Sequence, residues 1–130
     1  MLAARHLSIA IQRDWGEVYA FVSDPQNLPR WAAGLGVPVR QVGGAWFAGT
    51  GRGDVLLRFA ARNELGVLDH AVTLASGVEV QVPMRVIANG AGCEVIFTLF
   101  RQPGMSKAQC AEDADAVERD LRTLKRVLER

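Results

Sequence analysis

Asp69 and His70 are neighbours in the stretch NELGVLDHAVTL, residues 63–74, and an Asp–His pair can act as a proton-transfer dyad. The apolar residues around them alternate with the period of a β-strand. Successive side chains of a strand point to opposite faces, so Leu68, His70 and Val72 share one face and Asp69 lies on the other. The alternation therefore predicts that the two side chains do not touch and that they are not a catalytic dyad.

His70 is the ionisable residue at mid-strand on the predicted inner faces of the sheet. It could be a neutral imidazole that is satisfied by a backbone carbonyl or a buried water. It could instead contact a ligand, as a hydrogen-bond donor or weak base in a mostly apolar pocket. Catalysis would also require a partner near the same substrate position, and Arg101 and Tyr19 are the candidates for orienting a carbonyl. Because no partner is assured, the sequence favours binding over catalysis.

Other site chemistries find little support in the residue list. His6 and His70 lie on separate predicted strands, and Cys93 and Cys110 have no metal-ligand spacing. The glycine-rich GTGRGD, residues 49–54, does not open a helix after a strand, so we interpret it as a turn or lip rather than a phosphate loop. The sequence predicts neither a metal nor a cofactor.

Composition limits the class of protein. The 130 residues are 49% apolar and 22% charged, with 15 basic and 14 acidic side chains and a net charge of +1. These values are typical of one globular domain, which we expect to span residues 1–130. No basic stripe suggests a nucleic-acid partner, and no apolar run reaches the about 18 residues of a membrane span. Without a signal peptide, we expect a cytoplasmic protein, monomeric or homodimeric, with reduced cysteines.

The N-terminal third predicts one strand and two short helices. Residues 6–12 alternate as a half-buried strand. Asp14 can cap the first helix, which should end before Pro25 because proline disfavours helical geometry in the residue before it. The segment NLPRWAAGL predicts a second short helix that ends at the glycines 34 and 36.

Residues 38–102 consist of apolar runs separated by short turn signals, which favours antiparallel hairpins. Residues 78–86 are predicted to form one strand. The predicted inward-facing residues of this region are Val55, Leu57, Phe59, Leu68, His70, Val72, Leu74, Val78, Val80, Val82, Met84, Val86, Cys93, Val95, Phe97, Leu99 and Arg101.

The chain ends in a predicted helix over residues 106–129. Ser106 and Gln109 have the spacing of a capping box, and an apolar stripe runs from Cys110 to Leu128. Such a stripe usually packs on a sheet, although a dimerising coiled coil is an alternative. The order of elements is that of an α+β domain.

The segment VYAFVSDPQNLPRW (18–31), followed by a meander and by DADAVERDLRTLKRVLE (113–129), resembles the START-related SRPBCC superfamily, which includes polyketide cyclase/dehydrase-like proteins. The resemblance implies a helix-grip fold, with a curved antiparallel sheet of six or seven strands around the C-terminal helix and a cavity between them. Members bind lipids, sterols, polyketides or hormones, and some catalyse cyclisation or dehydration. In many of them an aromatic residue near the cavity mouth corresponds to Trp31.

We therefore predict a binding module for a small hydrophobic molecule. The predicted ligand-binding residues are Trp31, Phe59, His70, Met84, Phe97 and Arg101. The alternative is an enzyme of cyclase, dehydratase or isomerase type that acts on a polyketide- or steroid-like substrate, with His70 as the candidate catalytic residue. A protein-interaction module is a third possibility and would show an exposed apolar patch.

Overall fold

The structure, a computed structural model, describes residues 1–33, 39–50 and 53–130. Within those ranges the strands are β1 (Ala4–Ile11), β2 (Arg40–Val42), β3 (Ala45–Thr50), β4 (Gly53–Phe59), β5 (His70–Thr73), β6 (Glu79–Val82), β7 (Met84–Asn89) and β8 (Gly92–Phe100). The α-helices are α1 (Trp15–Val22), α2 (Leu28–Trp31) and α3 (Lys107–Leu128), and a 3-10 turn covers Pro25–Asn27. This is the predicted order of elements.

Side-chain caps fix the ends of the helices. The carboxylate of Asp14 accepts a hydrogen bond from the backbone N–H of Gly16 at 2.9 Å, which starts α1. Ser106 and Gln109 form the predicted capping box of α3, with both hydrogen bonds at 3.1 Å. The second helix, α2, ends at Trp31, and the predicted end at glycines 34 and 36 lies outside the described residues.

The strands form two antiparallel sheets, with the orders β1-β8-β7 and β2-β3-β4-β5-β6. The described residues thus contain eight strands, where six or seven were predicted. One added strand comes from residues 78–86, which Pro83 divides into β6 and β7. Proline has no N–H to donate to a ladder, and the carbonyl of Pro83 accepts from the N–H of Thr98 at 2.9 Å.

A short segment before β5 connects the two sheets. Gly66 accepts a backbone hydrogen bond from Val86 at 2.9 Å, and Leu68 donates one to Met84 at the same distance. Gly66 has a φ of +73°, and a Cβ at this position would overlap the carbonyl oxygen of Val86. Only glycine fits this backbone without strain. The strand β5 itself begins at His70, four residues after Gly66.

Asp69 and His70 point to opposite faces, as the alternation predicted. The carboxylate of Asp69 accepts from the backbone N–H of Met84 at 2.9 Å and forms an ion pair with Arg85. The ring of His70 hydrogen-bonds to Leu68 instead. Asp69 therefore helps to hold the junction between β6 and β7, and the adjacent pair is not a dyad.

The long helix α3 packs on β1 and β8 of the three-stranded sheet and on α2. Ala114, Leu121 and Leu124 on its predicted stripe are buried in the core. Its C-terminal end is attached to the end of β1, because Lys125 donates to the carbonyl of Ala10 at 2.7 Å. The helix thus packs within the chain, as expected of a helix-grip fold.

The inner faces follow the predicted alternation except at one end of the sheet. Val55, Leu57 and Leu68 are among the buried residues of the core. Leu74 and Val78 were predicted to face inward but are 40% and 50% exposed. They flank the β5–β6 turn, where the N–H of Leu74 donates to the carbonyl of Val78 at 2.8 Å. No helix in the described ranges is long and apolar enough to cross a membrane.

Candidate functional site

A cavity of about 260 Å³ lies between the sheets and the helices α2 and α3. Its wall takes residues from all three helices and from strands β4 to β8. Five of the six predicted ligand-binding residues lie in this wall: Trp31, Phe59, His70, Met84 and Phe97. The helix-grip topology thus brings together side chains that are up to 66 positions apart in the sequence, from Trp31 to Phe97.

Aromatic contacts hold the imidazole of His70 in place. Phe59 and His70 are directly opposite each other on β4 and β5, and their rings stack with centroids 4.8 Å apart. The ring of Phe97 meets the imidazole edge-on, with centroids 6.4 Å apart. Ring pairs at these separations are favourable beyond their burial. His70 is therefore a fixed part of the wall.

The hydrogen bond of His70 sets its chemistry. Nδ1 lies 2.9 Å from the carbonyl oxygen of Leu68, so we assign the neutral tautomer in which Nδ1–H donates to that oxygen. Burial lowers the pKa of His70 below its usual 6.5, and the Leu68 carbonyl and the charge of Asp69 oppose this shift. The imidazole is therefore neutral at pH 7, and its Nε2 is a free acceptor with no hydrogen-bond partner among the described residues.

Trp31 provides a donor in the same wall. Its side chain is buried, with the whole residue 7% exposed. The indole Nε1–H is fully buried and has no hydrogen-bond partner in the described part of the chain. Buried donors in native proteins are nearly always satisfied, and an unsatisfied one requires an explanation. Trp31 lines the cavity, and Nε1 has almost no surface open to it, so a guest must shift the indole slightly to accept from this N–H.

Asp120 also lines the cavity, and it was not among the predicted site residues. Its Oδ1 accepts from the backbone N–H of Ala33, just after α2, at 3.2 Å. Burial raises the pKa of Asp120, while the Ala33 hydrogen bond and the nearby charge of Arg119 lower it. The signal in the sequence was its position three residues after Val117 and next to Leu121, on the edge of the apolar stripe of α3.

Arg101 and Tyr19 do not reach the cavity. Arg101 lies in a separate surface pocket with Lys107 and Cys110, where its Nε donates to the carbonyl of Met105 at 2.9 Å. The hydroxyl of Tyr19 accepts from the backbone N–H of Asn63 at 2.9 Å, away from the cavity wall. Arg101 was predicted to be a ligand-binding residue, but it lies outside the cavity wall. Neither Arg101 nor Tyr19 is placed to orient the carbonyl of a guest in this cavity.

Neither cysteine belongs to the cavity wall. Cys93 is buried at the start of β8, and this burial raises the pKa of its thiol. Cys110 is half-buried in the first turns of α3. No group of three or more His, Cys, Asp or Glu side chains within the described ranges is placed to hold a metal ion.

Solved structures similar to this one cover nearly the whole chain. DynU16, from the dynemicin biosynthetic locus, has a TM-score of 0.75 and 18% identity over 97% of this chain. BexL, a di-domain ARO/CYC from the BE-7585A biosynthetic pathway, has a TM-score of 0.76 and 19% identity over 98% of this chain. The Aha1 dimer from Colwellia psychrerythraea has a TM-score of 0.80 and 13% identity, over 98% of this chain and 97% of its own.

These likenesses confirm the helix-grip fold that the resemblance to the SRPBCC superfamily implied. The chain spans about half the length of DynU16 and of BexL, 47% in each case. No family sequence model and no curated protein sequence matches the chain. At identities below 20%, the structural likenesses establish the fold and leave the ligand to be inferred from the cavity itself.

Proposed function

We propose that this protein binds a small, largely apolar molecule in the cavity between the sheets and α3. The observation that carries the proposal is the buried Nε1–H of Trp31, which faces no acceptor among the described residues. An unsatisfied buried donor costs about 1–3 kcal/mol. A guest with a hydrogen-bond acceptor removes that cost when it binds, so the cavity favours such a guest over a purely apolar one.

The rest of the wall supports an apolar guest. Leu57, Val72 and Phe97 contribute flat or branched apolar surface, and Met84 adds a side chain that adapts to different shapes. A volume of about 260 Å³ is slightly below the roughly 300 Å³ at which sites for drug-sized molecules begin. The cavity therefore suits a molecule with about two fused rings.

Two polar groups in the wall define the polar pattern of the guest. The Nε1–H of Trp31 donates, and the Nε2 of neutral His70 accepts. A guest with one acceptor and one donor at matching positions satisfies both groups. Each such hydrogen bond adds about 0.5–1.5 kcal/mol, which selects among molecules of similar size.

A proton-transfer enzyme of the cyclase, dehydratase or isomerase type is the second candidate. The observation in its favour is that His70 and Asp120 share one cavity and that their pKa values shift toward each other, His70 downward and Asp120 upward. Burial that raises the pKa of a carboxyl is one way in which enzymes prepare a general acid. Binding remains the preferred proposal because neither Arg101 nor Tyr19, which were expected to orient a carbonyl, belongs to the described wall of the cavity.

The two candidates differ in the effect of replacing His70 with Leu. A binding protein loses about tenfold or less in affinity, as expected for one hydrogen bond. An enzyme that uses His70 as its base loses turnover and keeps most of its affinity.

Binding can be tested by calorimetric titration with 2-acetylnaphthalene, a two-ring molecule with one ketone acceptor. We expect saturable one-to-one binding by the wild type. Trp31→Phe keeps the aromatic bulk but removes the N–H, and it should weaken binding by roughly three- to tenfold. Trp15→Phe is the matched control because Trp15 lies outside the cavity wall, and it should leave the affinity unchanged. A wild type that shows no saturable binding contradicts the proposal.

A further inference from the structure

The ionisable groups of the cavity wall restrict the charge of the guest. The described wall contains two ionisable side chains, His70 and Asp120, and no Lys or Arg. The imidazole of His70 is neutral at pH 7 because it is buried and donates through Nδ1 to a carbonyl. The carboxylate of Asp120 is therefore the charge that a guest meets at this wall.

One of the two carboxylate oxygens of Asp120 is available to a guest. Oδ1 is engaged by the N–H of Ala33 at 3.2 Å. Oδ2 has no hydrogen-bond partner among the described residues. The side chain is half-buried on α3, opposite the residues that follow α2. Because Asp120 lines the cavity and is half-buried, a donor on a guest can reach this carboxylate and keep part of its own hydration.

We infer that the natural guest carries a protonated amine on its apolar body and that Asp120 binds this ammonium group. This inference deepens the proposed binding function and rests on it. An ammonium that donates to a partly desolvated carboxylate makes a charge-assisted hydrogen bond, about twice as strong as a neutral one. A guest with a carboxylate meets like charge at this wall, with no cation in the described lining to compensate.

The selectivity can be measured with three naphthalene compounds that differ in the polar group on a short side chain. These are 2-(2-naphthyl)ethylamine, 2-(2-naphthyl)ethanol and the anion of 2-naphthaleneacetic acid. Each is titrated into the full chain at pH 7 by calorimetry. We expect the amine to bind about tenfold more tightly than the alcohol. The alcohol should in turn bind more tightly than the carboxylate.

Asp120→Asn removes the charge and keeps an oxygen that can accept from Ala33. This variant should reduce the preference for the amine over the alcohol from about tenfold to about twofold or less, because the amide carries no charge. Asp115→Asn is the matched control, because Asp115 is exposed on the same helix and outside the wall. It should preserve the tenfold preference for the amine.

The outcomes separate this inference from the proposed function. If the alcohol binds saturably but the amine binds no more tightly, or if the carboxylate binds best, the inference about charge is wrong and the cavity still binds apolar molecules. If none of the three compounds binds, the proposed function fails and the inference fails with it. The order of affinities for the three compounds is measured on the wild type alone. It therefore tests the inference even if Asp120→Asn does not fold.

Discussion

At the scale of single residues, the neutral imidazole of His70 is the feature with the clearest solution signature. Its pKa is lowered by burial, so between pH 6.5 and the folded-state pKa the unfolded chain binds a proton at His70 and the folded chain does not. Protonation of His70 in the unfolded chain therefore costs no folding stability above about pH 6.5, and it costs more as the pH is lowered below that value. Acidification should weaken the fold through His70.

We predict that His70→Gln reduces this loss of stability on acidification. The measurement is the free energy of unfolding from urea titrations at about pH 7.5 and about pH 5.5, a window above the usual carboxylate range. His6→Gln is the matched control, since His6 is exposed on β1 and bonds to Thr98 at the surface. If His70→Gln loses as much stability as the wild type over this window, the buried neutral imidazole is the wrong description.

Predictions for single residues succeeded where they depended on which face of a strand a side chain occupies. They failed where they depended on how far along the strand or helix the residue lies. Alternation placed His70 and Phe59 on the inner face and Asp69 on the outer one. Arg101 has the same parity as Phe97, but four residues of strand carry it about 13 Å further along the sheet, away from the cavity. Asp120 was missed because a carboxylate at the edge of a helical stripe usually faces water. Its burial depends on where α2 packs, which local sequence does not encode.

At the scale of elements, the junction between the sheets depends on Gly66 and Pro83. Pro83 divides the predicted strand 78–86, and this break was readable because proline cannot donate within a ladder. The pairing of Gly66 with Val86 was not readable, since it joins segments 20 positions apart through backbone hydrogen bonds. This junction positions His70, the first residue of β5.

We predict that Gly66→Ala destabilises the fold far more than Gly90→Ala. Both glycines have positive φ, +73° and +59°, so alanine costs roughly 1–2 kcal/mol of backbone strain at either position. At Gly90 a Cβ has no neighbour within 4 Å, whereas at Gly66 it overlaps the carbonyl of Val86 and breaks that pairing. Thermal melts of both variants measure the difference. Equal losses of Tm would show that the junction is not as tight as described.

At the scale of the whole molecule, the order of elements and the resemblance together predicted the architecture. A strand, two short helices, a meander and a long helix can enclose a cavity when the helix packs across the sheets, and the structure has this arrangement. The similarity to DynU16, BexL and the Aha1 dimer confirms the fold over nearly the whole chain. The number of strands depended on long-range pairing as well as on the break at Pro83, so the alternation of apolar residues alone did not determine it.

The central claim, that a guest occupies the cavity and meets the indole N–H of Trp31, can be tested directly by NMR. The chain has three tryptophans, so a ¹⁵N-labelled sample gives three indole N–H signals, from Trp15, Trp31 and Trp46. Substitution of each tryptophan by Phe assigns them. On titration with 2-acetylnaphthalene, we predict that the Trp31 signal moves downfield as the hydrogen bond to the ketone forms, while the signals of Trp15 and Trp46 stay within the range seen with solvent alone. An unmoved Trp31 signal at saturating 2-acetylnaphthalene would contradict the account.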